Sequence, residues 1–184
     1  MTATRTQLPF IIRVDSREQR GYTFDCMRDV ATIPFTVERM KLDTGDYHCG
    51  PLDAPSASIV IERKSLQDLY GTLSQHRLRF EAEFQRMADS GFGYRALVIE
   101  SPWDLIANPN LALVRKTNMN PKSVTQTLLH WSQKYGVHVF PLPNRMYAEK
   151  LTFRMLEWWA KDHCVQNVPT TQATRTPEER KLAC

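Results

Sequence analysis

The stretch Ser58-Ile59-Val60-Ile61-Glu62-Arg63-Lys64-Ser65 decides how this chain is read. Three consecutive branched apolar residues predict a buried strand, and the period of two along a strand puts Val60, Glu62 and Lys64 on one face and Ile59, Ile61 and Arg63 on the other. A carboxylate and an ammonium therefore leave the end of an apolar strand in the same direction. That is the arrangement metal-assisted phosphodiester hydrolysis needs: the acid holds a hard divalent cation, and the lysine orients a water or helps to deprotonate it. A second carboxylate is required, and Asp46 supplies it from the tight turn Asp43-Thr44-Gly45-Asp46, across a loop able to close a hairpin. Glu38 and Lys41 are a decoy: three apart, they would face opposite sides of a strand.

Working outward from this stretch, the pattern is one of strands alternating with helices. Phe10 to Val14 reads as a buried strand ending at Asp15, Phe35 to Leu42 as a second and Tyr47 to Cys49 as a short third. Pro51 to Pro55 is a hairpin-like loop. After Lys64, Ser65 and Asp68 form a capping box, and Leu66, Leu69, Tyr70 and Leu73 follow at helical spacing. Phe80, Phe84 and Met87 predict a further helix, with Arg77/Glu81 and Arg79/Glu83 as charge pairs on its exposed side. Arg95 to Glu100 is another buried strand, and Asn108 to Pro121 an irregular Asn- and Pro-rich stretch.

Asn120 and Pro121 open a helix striped by Val124, Leu128 and Trp131 and closed at Gly136, and Val137 to Phe140 returns as a strand. Asn144 caps a last helix carrying Tyr147, Leu151, Met155 and Trp158. The whole is an α/β pattern around a central sheet over residues 1–162, with 163–184 expected to be a flexible polar tail.

Composition narrows the class. At 184 residues a single core is the working assumption, and 42% hydrophobic with 24% charged residues is ordinary for a soluble globular chain. No apolar run reaches the length that spans a bilayer, and the start lacks the apolar core of a secretory signal. The expected location is the cytosol or nucleoid, or the nucleus in a eukaryote. Cys26, Cys49, Cys164 and Cys184 are scattered, which argues against a disulfide framework or a structural zinc. A net charge of +4 suits a polyanionic partner without requiring one.

Val14-Asp15-Ser16-Arg17-Glu18, Thr44-Gly45-Asp46-Tyr47 and Ile61-Glu62-Arg63-Lys64-Ser65 with Asp68-Leu69 together resemble the XPF-type nuclease domain of the XPF, Mus and Hef endonucleases. Order and spacing agree, and Arg77-Leu78 matches the basic pair that usually follows. The resemblance implies a restriction-endonuclease-like (PD-(D/E)XK) mixed central sheet flanked by helices. It also implies a Mg²⁺- or Mn²⁺-dependent endonuclease for branched, flap or fork DNA in repair or recombination. Asp46 and Glu62 would be the metal ligands, Lys64 would position the attacking water, and Asp15 and Glu18 would complete or support the acidic site.

Asp68 either serves the capping box alone or also orients Arg63 or Lys64, and Arg63 reads as a support residue. Arg17 and Arg77 would contact phosphates. Arg115, Lys116 and Lys122 are either a basic loop that follows a DNA backbone or a solvated charged loop. Full-length relatives usually add a helix-hairpin-helix module or a helicase, neither of which occurs here, so a stand-alone enzyme with a homodimeric or accessory partner is expected. A catalytically silent DNA-binding scaffold is the alternative on the same fold, with a protein-interaction domain a third. A silent member would be expected to have lost Asp46, Glu62 or Lys64, and all three are present.

Overall fold

Strand β4 (Ile59–Lys64) is the middle of the molecule, and the alternation expected of it is what divides the core in two. In the computed structural model, which describes residues 9–112 and 119–163, Ile59 and Ile61 pack into one apolar cluster with Phe24, Phe35 and Phe153. Val60 packs into the other with Leu69, Phe84 and Trp131. A strand covered on both faces must be apolar on both, which explains the unbroken Ile-Val-Ile run.

Around it lie β1 (Phe10–Asp15), β2 (Phe35–Met40), β3 (Tyr47–Cys49), β5 (Tyr94–Ile99) and β6 (His138–Pro141), in the order β2-β1-β3-β4-β5-β6. β3 runs antiparallel to both β1 and β4, while the β1–β2, β4–β5 and β5–β6 pairs are parallel. The register Lys64↔Ile99 brings Glu100, the residue after β5, to the same end of the sheet as the Glu62–Lys64 segment.

On one face sit α1 (Leu66–Gln75), α2 (Arg77–Asp89), the short α3 (Trp103–Ala107) and α4 (Pro121–Tyr135). On the other lies α5 (Arg145–His163). Local signals set several of the ends. The Ser65 hydroxyl accepts from the Asp68 N–H at 3.1 Å, and Asn120 caps Lys122 N–H at 2.9 Å with Pro121 in the first turn. Gly136 closes α4 in the left-handed conformation at φ 61°. Among the described residues, no helix is long and apolar enough to cross a membrane.

Three expectations need correction or narrowing. The stripe Tyr147, Leu151, Met155 and Trp158, expected only to lie on the last helix, is exposed at its ends, Tyr147 at 51% and Trp158 at 60%, while Met155 packs against the core. The inward face is Ala148, Thr152, Phe153, Leu156, Glu157 and Ala160. A helix lying close on a sheet turns small residues such as Ala148 and Ala160 inward. The irregular stretch after Asn108 begins with a 3₁₀ turn over Pro109–Ala112 and is preceded by α3, which periodicity over five residues was too short to announce. Arg115, Lys116 and the tail beyond His163 lie outside the described residues. The third correction concerns Glu81 and Glu83 on α2. Glu81 reaches Tyr135 and Lys134 on α4 at 2.8 and 3.0 Å, and Glu83 turns inward, as described below.

Candidate active site

Glu62 and Lys64 leave the C-terminal end of β4 on the face toward α1 and α2, as the strand period requires, and the Lys64 ammonium donates to Glu62 Oε1 at 2.7 Å. Lys64 Nζ also lies 5.1 Å from the centre of the Phe80 ring on α2, a cation–π contact that gives the ammonium a second fixed surface. Burial pushes the Glu62 carboxyl above the ordinary carboxylate range, and the opposing pull of Lys64 does not fully restore it. Burial acts against the charge on Lys64 too, but Glu62, reinforced by Asp46, outweighs it, so the amine binds its proton more tightly than a free lysine.

Asp46 arrives from the turn before β3. Gly45 takes φ 71°, a left-handed conformation that a side chain resists, and this reverses the chain so that Asp46 enters the sheet. Asp46 N–H donates to Ile61 C=O at 2.9 Å and its own C=O accepts from Asp15 N–H at 2.8 Å, so its backbone is held between β1 and β4. Its carboxylate accepts from the Arg63 N–H at 2.8 Å, which places it beside the Glu62 segment. Burial first, and then the charge of Glu62, hold Asp46 well above its usual range, against the Arg63 N–H and Lys64.

Loss of water is the main reason that both acids resist ionisation, a cost that one proton or one bound cation would offset. Both are hard oxygen donors at the end of a sheet, and among the described residues no group of three or more His, Cys, Asp and Glu forms a cage for a metal ion. That donor set fits Mg²⁺ or Mn²⁺, which bind through one or two carboxylates and keep several waters, and not a structural zinc.

The remaining expected residues surround this pair in different ways. Asp15 is buried, and its carboxylate is occupied by Arg17, whose Nε lies 3.0 Å from both oxygens and whose Nη2 also donates to Leu42 C=O at 2.6 Å. Burial raises the Asp15 pKa, but the bonds from Arg17 reverse this and leave it below the usual range, so Asp15 is a satisfied ion-pair partner. Arg17 is 59% exposed, though its fork is already engaged.

Arg63 points to the opposite face from Glu62, where it pairs with Glu100 at 2.9 Å and more loosely with Glu18 at 3.4 Å. Glu18 in turn accepts from the Arg20 N–H at 2.6 Å. Glu100 also receives Tyr22 Oη and Arg145, each at 3.0 Å. Arg63 thus ties β4 to the segment after β5, to α5 through Glu100, and to the loop after β1. Asp68 closes the capping box with Ser65 Oγ at 2.7 Å and reaches Lys64 through its charge alone. Arg77 stacks over the Trp131 ring at 5.1 Å, and Lys122 is exposed in the first turn of α4.

Sequence reasoning missed three residues that the structure brings to this region: Glu83, Glu100 and Arg145. Glu83 accepts from the Thr44 hydroxyl at 2.5 Å and the Gly45 N–H at 3.1 Å. Glu100 was legible in principle, as an acid ending an apolar strand parallel to β4. Arg145 carried no local signal.

A mixed six-stranded sheet between helical layers, with two carboxylates and a lysine at the end of the central strand, is the restriction-endonuclease-like α/β class. Within that class the ERCC4 domain model matches residues 14–155, and the chain belongs to that family, the XPF-type nuclease domains. The fold recurs in solved structures. XPF from Aeropyrum pernix is 19% identical with a TM-score of 0.57, the match covering 80% of this chain and 65% of that one. XPF from Aeropyrum pernix in complex with DNA is 21% identical with a TM-score of 0.56, covering 83% of this chain and 64% of that one. The chain therefore spans about two thirds of the length of the structures it resembles. No curated protein matches it.

Proposed function

We propose that the protein is a divalent-metal-dependent DNA endonuclease that cuts at branched, flap or fork DNA. The observation that carries this reading is the convergence of Asp46, Glu62 and Lys64 at one end of β4, with Asp46 held by the Arg63 N–H and the lysine held between Glu62 and Phe80. Asp46 and Glu62 would hold Mg²⁺ or Mn²⁺, which when bound supplies Lewis-acid polarisation of a phosphate and of a water. Lys64, with its proton affinity raised, acts as a hydrogen-bond donor that orients the water or a phosphate oxygen, not as the base. Asp15 and Glu18 keep Arg17 and Arg63 in place around the acids.

The family membership supports a nuclease, and the neighbour solved with DNA supports a nucleic-acid partner. Choice by DNA shape is favoured by the exposed cations Arg17 and Lys122 and by the half-buried Arg77, whose charges suit phosphates. Among the described residues no helix presents a row of base-reading side chains, and phosphate contacts position a protein without reporting sequence. The second, exposed apolar stripe of α5, with Tyr147 and Trp158, favours pairing with another copy or an accessory chain.

The test is cleavage of a flap, a four-way junction and linear duplex, each in two unrelated sequences, with Mg²⁺ or Mn²⁺ and with chelator. Cutting of the branched substrates in both sequences, only with metal, is expected. Cutting confined to one short duplex sequence would indicate a restriction-type enzyme. Tight, salt-sensitive binding without any cleavage would leave the catalytically silent DNA-binding scaffold.

A further inference from the structure

Helix α2 touches the site twice, one turn apart. Phe80 lies under the Lys64 ammonium, and Glu83, three residues on, receives the Thr44 hydroxyl and the Gly45 N–H on a single oxygen, Oε1. Its other oxygen, Oε2, is taken by Arg86 on the same helix. These bonds cross from the helical layer to the turn that delivers Asp46, and they are the side-chain bonds made to Thr44 and Gly45 among the described residues. The turn needs such a restraint. Gly45 is the residue with the greatest backbone freedom there, in a left-handed conformation that glycine tolerates but does not prefer strongly. An acid is a costly choice so close to Asp46 and Glu62, since its charge raises the proton affinity of Glu62. Arg86 offsets that cost and leaves Oε1 free for the turn.

We infer that Glu83 is a positioning residue for the metal-binding acids: it fixes the Thr44–Gly45 peptide, and through it the direction in which Asp46 faces Glu62. This rests on the metal-site reading above and deepens it. A bare surface acid would do none of this, and an acid that contributed only charge would be replaced poorly by its amide. The amide of Glu83→Gln keeps a carbonyl oxygen able to accept both bonds, whereas Glu83→Ala removes the acceptor. Thr44→Val removes one donor and leaves the other.

The experiment compares Mn²⁺ binding by calorimetry, without DNA, for the wild type, Glu83→Gln, Glu83→Ala and Thr44→Val, together with the ¹H–¹⁵N spectrum and exchange rate of the Gly45 amide. Expected are affinity within about threefold of wild type for Glu83→Gln, and a loss on the order of 10- to 100-fold for Glu83→Ala, the range seen when a partner that orients a ligand is removed. Thr44→Val should fall between. The Gly45 amide should be protected in the wild type and in Glu83→Gln, and exposed to exchange in Glu83→Ala.

If Glu83→Ala were to unfold, Thr44→Val carries the test. Wild-type affinity in a folded Glu83→Ala, or in Thr44→Val when Glu83→Ala is lost, overturns the inference, as does a Glu83→Gln as weak as Glu83→Ala. The Gly45 amide separates the two readings. A protected amide in a wild type that binds no Mn²⁺ would refute the metal site, while an unprotected amide in a wild type that does bind would refute the role of Glu83.

Discussion

Gly45→Ala is the sharpest test of how the turn delivers Asp46. The residue sits at φ 71°, and an L side chain in the left-handed region costs about 1–2 kcal/mol. A Cβ built there would also lie 2.4 Å from Val60 Cγ2 and 3.3 Å from the Ile61 carbonyl oxygen. The first distance is too short to keep, so the turn or Val60 must move, and overpacking of that kind costs about 1–3 kcal/mol. Reduced freedom of the unfolded chain returns about 0.4–1 kcal/mol. The net expectation is destabilisation of about 2–4 kcal/mol.

Val60 is fully buried, so the adjustment falls on the turn, and Asp46 is the next residue. Loss of Mn²⁺ affinity should therefore accompany the loss of stability. Urea unfolding of the wild type, Gly45→Ala, Val60→Ala and the double variant forms a cycle that isolates the steric part. Removing Cγ2 should recover about 1–2 kcal/mol as favourable coupling, with the left-handed cost remaining. A Gly45→Ala protein within about 0.5 kcal/mol of wild type would refute the reasoning, and so would zero coupling to Val60.

Glu62→Ala, Asp46→Ala and Lys64→Ala should each abolish metal-dependent cleavage while circular dichroism stays native, because each removes several kcal/mol of transition-state stabilisation; wild-type nicking by Glu62→Ala would remove the site assignment. His48 is buried against Phe92, and burial, then Arg13, lower its pKa from 6.5 to about 4. The unfolded chain therefore binds a proton that the folded chain excludes, so stability should be complete above pH 6.5 and fall as pH drops toward about 4, by up to about 3 kcal/mol. His48→Phe should flatten that dependence between pH 5 and 7 in urea titrations, and an unchanged slope would count against it. Phe153→Ala, which empties contacts with Phe10, Phe24 and Phe35, should cost about 3–5 kcal/mol. Trp158→Ala should change stability by under about 0.5 kcal/mol but weaken self-association in light scattering; a strongly destabilised Trp158→Ala would reverse the assignment of the α5 faces.

The features legible in the sequence are those set by short-range physics. The alternation of Val60, Glu62 and Lys64 against Ile59, Ile61 and Arg63 follows from the pleat of one strand, and both sides have the partners that alternation requires. The Ser65–Asp68 box, the Asn120–Pro121 start and the Gly136 stop are local hydrogen-bond and dihedral matters, so helix ends could be read from single residues. The pairing of Asp46 with Glu62 was accessible because the loop joining β3 to β4 closes an antiparallel pair.

What only the tertiary structure decided is which helix face meets which end of the sheet. Successive residues on a helix point about 100° apart, so the stripe containing Tyr147 and Trp158 and the one containing Ala148 and Phe153 are neighbours that periodicity barely separates. The contact of α5 with β1, β3, β4 and β5 chose between them. Glu83 looked like the partner of Arg79 for the same reason, until the packing of α2 aimed it at Gly45. Asp15 was expected to complete or support the acidic site, and only the fold shows that Arg17 turns back upon it. A charged side chain reports its chemistry in the sequence, but its partner is chosen by distances between segments far apart along the chain.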